Sequence, residues 1–123
     1  MKDSLKPGLN LEHSHAVTDA MAPAHIPIKV LSTPSMVQLI EATCYSCVQP
    51  HLDEHESTVG THVCVSHVGP ARSGETVTIK AVLNEINKRR LTFEVEVAAP
   101  SGVISTGSHE RAVVDLERMR ARS

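Results

Sequence analysis

Residues Ser32–Val48 read STPSMVQLIEATCYSCV, the one stretch of this chain with the pattern of a long helix. Thr33 is a suitable N-cap, and Pro34 suits the first helical position, where its missing N–H costs nothing. Pro50 is expected to end the helix, because proline cannot continue one. Four residues at helical spacing form an apolar face that we expect to be buried: Met36, Ile40, Cys44 and Cys47.

One carboxylate interrupts this helix. Glu41 lies in its middle, beside Val37 and Tyr45 at helical spacing. A carboxylate among such neighbours either reaches water at the boundary of the core or has a chemical function. The helix alone leaves both interpretations open.

Composition limits the classes of protein to consider. The chain has 123 residues, 41% apolar and only 2% aromatic, with a net charge of -2. This predicts one domain over residues 1–123 with an aliphatic core, and gives no reason to expect nucleic acid as a partner. No apolar run approaches a membrane span and no targeting segment is visible, so we expect no membrane partner. The three cysteines are then expected to be reduced thiols in the cytoplasm.

Beyond the helix, the hydrophobic period changes from helical spacing to alternation. A weak strand is predicted over Leu9–Val17, followed by a lid-like loop that completes an N-terminal section, residues 1–31. The helix occupies 32–49, and an antiparallel sheet is predicted over 58–117. Its strands are expected at Thr61–Val68, Thr76–Leu83, Leu91–Ala98 and Val103–Leu116. One helix against about five antiparallel strands is an α+β fold, and its uncovered strand edges make a homodimer the expected state.

Three motifs have a structural interpretation that we favour over a chemical one. Cys44 and Cys47 have redox spacing, but they fall at the helix C-terminus, where the dipole does not stabilise a thiolate, so core packing is expected. The zinc-protease-like pattern of His51–His55 follows a proline in a polar connection rather than on a helix. His13 and His15 share a strand face, which leaves a metal pair possible. We expect no metal and no cofactor.

Two basic clusters are also present. Lys88, Arg89 and Arg90 are consecutive, and Arg118, Arg120 and Arg122 alternate near the end of the chain. Solvated charge is the ordinary interpretation of such clusters. The alternative is a docking site for a phosphorylated ligand.

His67 is the histidine best placed for acid–base chemistry. It is expected at a strand end on the core side, just before a Gly-Pro turn. Glu41 lies 26 residues earlier, on the helix that this strand should cover. A carboxylate and an imidazole meeting at the helix surface are a candidate hydrolytic pair, against the alternative of a satisfied core histidine.

At this point the chain resembles the hot-dog fold acyl-CoA thioesterases, and within them the fluoroacetyl-CoA thioesterase group. The resemblance covers most of Thr33–Leu116. Its matching segments are Met36–Ala42, Val59–His67, Ser73–Ile79, Arg89–Leu91 and Gly107–Val113. The spacing from Thr33 to Glu41 and from Glu41 to His67 agrees with the family's Thr–Glu–His set.

The resemblance implies an activity and a set of roles. It implies hydrolysis of a short acyl-CoA or related thioester, with Thr33, Glu41 and His67 as the catalytic residues. Gly60, in the Val-Gly-Thr turn, would present its N–H to the thioester carbonyl. His109 and Arg111 would support the site or contact substrate, with a structural ion pair as the alternative for Arg111.

Two features qualify this expectation. Eight helical residues advance about 12 Å, so Thr33 and Glu41 can share one carbonyl only if the chain folds back before the helix or a second subunit brings them together. Hot-dog proteins typically build sites at a dimer interface. The lid at Thr18–Leu31 has no aromatic residue, unlike that of fluoroacetate-specific members, so we expect an ordinary short acyl group. A non-catalytic module that binds acyl-CoA is the alternative function, and a dehydratase is a more distant one.

Overall fold

A five-stranded antiparallel sheet packs around one long helix in this computed structural model, which describes residues 1–123. The strand order is β1-β3-β4-β5-β2, so β1 and β2 form the two edges. This confirms the predicted α+β architecture. In chain order the elements are β1 (Asn10–Ala16), α1 (Thr33–Val48), β2 (Glu56–Val65), β3 (Thr76–Asn87), β4 (Arg90–Ala99), β5 (Gly102–Asp115) and α2 (Leu116–Arg122).

The core lies between α1 and the concave face of the sheet, and it is aliphatic, as the composition predicts. Phe93, the only phenylalanine, is fully buried in it. The apolar face predicted for α1 is buried, and so are the alternate residues of β3 and β4. The buried strand positions are Val77, Ile79, Ala81, Leu83, Leu91, Val95 and Val97. Each buried aliphatic side chain of this kind stabilises the fold by about 1.5–3 kcal/mol.

The start of α1 differs from the prediction by one residue, and this has a chemical consequence. Ser32, not Thr33, is the N-cap, and its hydroxyl accepts from the Ser35 N–H at 3.2 Å. Thr33 is the first helical residue, followed by Pro34. Because Ser32 caps the helix, the Thr33 hydroxyl is free to bond elsewhere.

The predicted start of β2 is wrong by five residues. The strand begins at Glu56, inside the segment expected to be a polar connection. Its first two inward positions hold Glu56 and Thr58, which are buried polar residues, so hydrophobic alternation is missing there. The Met1 amino group and the Asp53 N–H donate to the Glu56 carboxylate, and Arg89 lies 3.4 Å from it, so its burial is compensated. The strand ends at Val65, so His67 follows the strand rather than ending it.

The end of β3 and the segment after β5 also differ from the prediction. β3 runs through to Asn87, and the turn is made by Lys88 and Arg89, with Lys88 at a φ of 57°. The expected charged tail after β5 instead forms the short helix α2. Asp115 caps it by accepting from the N–H groups of Glu117 and Arg118.

No helix in the structure is both long and apolar enough to cross a membrane.

Candidate active site

Thr33 and His67 form one half of the candidate site. Thr33 Oγ1 lies 2.8 Å from His67 Nδ1, which joins the first residue of α1 to the segment that follows β2. The pair lies at the surface, with Thr33 exposed and His67 half-buried. The bond orients the imidazole and leaves Nε2 available to a ligand.

Glu41 and Arg111 form the centre of the other half. Glu41 Oε2 lies 3.6 Å from Arg111 Nη1. The Glu41 side chain is 41% exposed and that of Arg111 is 7% exposed, so the carboxylate is open to a ligand while the guanidinium is held within the protein. Glu41 therefore reaches water at the boundary of the core while it lies against a buried positive charge, and its chemical function stays a prediction.

Gly60 leaves room for this carboxylate to approach the backbone of β2. A Cβ at position 60 would lie 2.7 Å from Glu41 Oε2, 3.3 Å from His109 Cε1 and 3.4 Å from Arg111 Nη1. Gly60 is in a strand, not in a turn as predicted, and the β2–β5 register shifts between Gly60 and His62. Such a bulge takes backbone groups out of the ladder and makes them available to a ligand.

His109 is buried and anchors the arginine. Its Nδ1 donates to the carbonyl oxygen of His62 at 2.7 Å, so Nε2 carries the lone pair and accepts from Arg111 Nη1 at 3.2 Å. Burial lowers the pKa of His109 below its ordinary value. The bond to the His62 carbonyl opposes this shift, and the positive charge of Arg111 adds to it. A neutral imidazole fits this role, because a charged ring could not accept from Arg111.

Two further residues fix Arg111, and the sequence did not indicate either role. Thr58 accepts twice, its Oγ1 from Arg111 Nε at 2.8 Å and its carbonyl from Nη2 at 3.0 Å. The guanidinium also lies over the Tyr45 ring, 6.0 Å from its centroid. Thr58 is two residues before Gly60 on the same strand, a spacing that places both on one face. This alternation along β2 is the sequence signal that could have identified Thr58 as a site residue.

The two halves of the site do not touch within one chain. No hydrogen bond or ion pair links Glu41 to Thr33 or to His67. Thr33 and Glu41 lie on one helix, Thr33–Val48, where eight residues advance about 12 Å. The chain therefore does not fold back to join them, which removes one of the two explanations that the sequence allowed.

The other motifs make packing and polar contacts. Cys44 and Cys47 are buried and unpaired, and burial raises the pKa of the Cys44 thiol to about 12. His51 bonds to Ser4 while His55 lies 3.9 Å from Asp115, so the zinc-protease-like pair diverges. The rings of His13 and His15 are edge to face, 5.8 Å apart. No group of three or more potential metal ligands occurs in the structure.

Similar structures place the fold in a known class. A hot-dog-like protein from Thermanaerovibrio acidaminovorans superposes with a TM-score of 0.87 at 20% identity, covering 94% of this chain and 88% of the other. A fluoroacetyl-CoA thioesterase structure superposes with a TM-score of 0.91 at 32% identity, covering 98% of this chain and 96% of the other. The fold is the predicted hot-dog fold, and the class is that of the hot-dog thioesterases.

Sequence comparison narrows the class to a family. The profile of the fluoroacetyl-CoA-specific thioesterases matches residues 12–117. The fluoroacetyl-CoA thioesterase of Streptantibioticus cattleyicolor is 32% identical over 131 aligned residues, which cover 99% of this chain and 94% of that protein. The chain belongs to the fluoroacetyl-CoA-specific thioesterase family and is a thioesterase.

Proposed function

We propose that this thioesterase hydrolyses a short acyl-CoA with a set formed by Thr33, Glu41 and His67. The observation that carries the proposal is that α1 presents two chemically complementary groups. Its first residue holds a hydroxyl bonded to an imidazole at 2.8 Å, and its middle holds a half-exposed carboxylate beside a buried guanidinium. Thioester hydrolysis needs an attacking oxygen, a proton acceptor and donors for the carbonyl oxygen, and these groups supply all three.

In this proposal Glu41 acts on the carbonyl carbon. It takes a proton from a water whose oxygen attacks that carbon, or it attacks directly and the resulting anhydride is then hydrolysed. The Gly60 N–H and the Arg111 guanidinium hold the carbonyl oxygen as negative charge develops on it. The C–S bond then breaks, and the thiolate receives a proton from His67. Thr33 orients His67 through the bond to Nδ1.

The two halves come together, in this proposal, at the interface of a homodimer. The edge strand β2 is exposed from Val59 to Cys64, and this run has no acidic or lysine residue. Val59 and Val63 on this edge and Tyr45 on α1 are each 39–40% exposed, and a partner strand would cover them. Pairing two copies through β2 covers them and brings Thr33 and His67 of one copy toward the Glu41 half of the other.

The acyl group is assigned from the lid. Residues Thr18–Leu31 contain no Phe, Tyr or Trp, so no such ring there encloses a fluorinated methyl group. We therefore assign an ordinary short acyl-CoA rather than fluoroacetyl-CoA. The three cysteines are all unpaired, which suits an enzyme that works in the reducing cytoplasm.

Thiol release from a panel of acyl-CoA esters tests this proposal. The panel contains acetyl-, fluoroacetyl-, butyryl- and octanoyl-CoA, assayed with wild type, Glu41→Ala and the matched exposed variant Glu85→Ala. We expect Glu41→Ala to lower kcat/KM for the short esters at least about a hundredfold, and Glu85→Ala to leave it unchanged. Equal rates for wild type and Glu41→Ala would contradict the catalytic role, and a strong preference for fluoroacetyl-CoA would contradict the substrate assignment.

A further inference from the structure

A basic cleft lies at the end of the sheet, outside the candidate active site. It has a volume of about 230 Å³ and opens between the β3–β4 turn, the end of β5 and α2. Its lining residues are Arg89, Val114, Asp115, Arg118, Met119 and Arg122.

Two of the three arginines in this cleft have no ion-pair partner in the protein. Arg118 and Arg122 are exposed, and neither has a carboxylate within 4.0 Å. Arg89 lies 3.4 Å from Glu56 and donates through Nε to the Val113 carbonyl at 3.2 Å, and its side chain stays 52% exposed. The one lining carboxylate, Asp115, accepts from the backbone of α2. Three guanidinium groups against one carboxylate are notable in a chain whose net charge is -2.

The sequence of α2 places these charges on one side. Arg118 and Arg122 are four residues apart and so share a helix face, while Arg120 lines the opposite side with Glu117. Between the arginines the cleft has an apolar floor, formed by Val114 and by Met119, which is 49% exposed. Arginine forks bind phosphate oxygens, and guanidinium and thioether groups pack on aromatic rings.

We propose that this cleft binds a phosphorylated adenine nucleotide, with its phosphates on Arg118, Arg122 and Arg89 and its base on the apolar floor. Two sources share this chemistry. One is the nucleotide end of CoA, and this source rests on the proposed function. The other is a free nucleotide that binds apart from catalysis.

The position of the cleft relative to the active site allows either source. Val114 lies three residues beyond Arg111 on β5, about 10 Å along the strand. Alternation places Val114 on the outer face and Arg111 on the inner face. A CoA molecule with its thioester beside Arg111 therefore passes around the end of the sheet to place its nucleotide in the cleft.

Calorimetric titration with adenosine 3′,5′-bisphosphate and with CoA tests the site directly. The variant is Arg118→Gln and the matched control is Arg120→Gln, which removes the same charge from the other side of the same exposed helix. We expect Arg118→Gln to weaken binding about tenfold and Arg120→Gln to change it less than about twofold. No saturable binding by wild type, or equal weakening in the two variants, overturns the proposal. Arg118 and Arg120 are both exposed, so we expect both variants to fold, and circular dichroism compares their secondary structure with that of wild type.

A second measurement separates the two sources. The KM of each variant is compared for an acyl-CoA and for the corresponding acyl-pantetheine, which lacks the nucleotide. An increase in KM for acyl-CoA alone in Arg118→Gln identifies the substrate's own nucleotide as the ligand. Lost nucleotide binding with both KM values unchanged identifies a free nucleotide. Because the titration needs no turnover, it stands even if the proposed catalysis is wrong.

Discussion

Replacing Gly60 with alanine mainly removes the space beside the Glu41 carboxylate. The added Cβ would lie 2.7 Å from Glu41 Oε2, closer than real Cβ contacts, so one of the two must move. The carboxylate is the end of a flexible, 41% exposed side chain, and it moves more easily than β2. The backbone N–H of residue 60 is kept.

The expected effect is large on activity and small on stability. Displacing a catalytic group by about 1 Å costs on the order of a hundredfold in rate. Gly60 has an ordinary extended conformation, because it is not among the glycines with positive φ. Alanine is favoured over glycine in a strand by roughly 0.5–1 kcal/mol, which offsets the local crowding. We therefore expect kcat/KM to fall about a hundredfold with little change in the urea midpoint.

A double-mutant cycle shows whether the displacement acts through Glu41. Steady-state kinetics are compared for wild type, Gly60→Ala, Glu41→Ala and the double variant. If the alanine acts by moving the carboxylate, it has no further effect once Glu41 is removed. If the decrease in kcat/KM in the double variant equals the product of the decreases in the two single variants, this reasoning is refuted. A Gly60→Ala enzyme with wild-type kcat/KM would refute it as well.

Three other predictions follow from the same contacts. Thr33→Val should lower kcat and leave the urea midpoint nearly unchanged. Ser32→Ala should lower the free energy of unfolding by about 1 kcal/mol and leave kcat unchanged. The reverse pattern would contradict the assignment of Ser32 as the helix cap. Because the pKa of His109 is lowered in the folded state, the unfolded state binds a proton at this residue more readily. The free energy of unfolding should therefore have its full value above pH 6.5 and fall as the pH drops below 6.5. Urea titrations at several pH values measure how the free energy of unfolding changes with pH. This change should be smaller in His109→Asn than in wild type, and an equal change in both would contradict the prediction. With Ellman's reagent at pH 8, Cys44 and Cys47, whose thiol pKa values are raised by burial, should react only in denaturant; fast reaction of either thiol in the folded protein would contradict the packing.

The sequence predicted the parts of the fold that repeat. The helical spacing along α1 and the alternation along β3 and β4 identified buried residues correctly, because burial of one face imposes a period. The failures fall where polar groups occupy inner positions. Glu56 and Thr58 begin β2 with buried polar side chains, and their charged partners Met1, Arg89 and Arg111 are distant in sequence. No local pattern contains such partners.

The sequence predicted which residues form the candidate site, but it did not predict how their side chains contact one another. Spacing and resemblance selected Thr33, Glu41 and His67, and those roles stay predictions. The structure separates them into two groups, because Thr33 bonds to His67 while Glu41 turns toward Arg111. The anchoring of Arg111 by Thr58 follows from the β2–β5 register, which pairs Gly60 with Arg111. A register is a property of two strands together, so one strand's sequence does not show it.

Complementation between two inactive variants tests most directly whether two copies build each site. Thr33→Val and Glu41→Ala chains are unfolded together, refolded as a mixture and assayed for thiol release, with each variant refolded alone as the control. If a site takes Thr33 from one copy and Glu41 from the other, each mixed dimer holds one intact site. An equal mixture then recovers about a quarter of wild-type activity. Activity no higher than that of the separate variants, in a mixture shown to contain mixed dimers, would contradict the account.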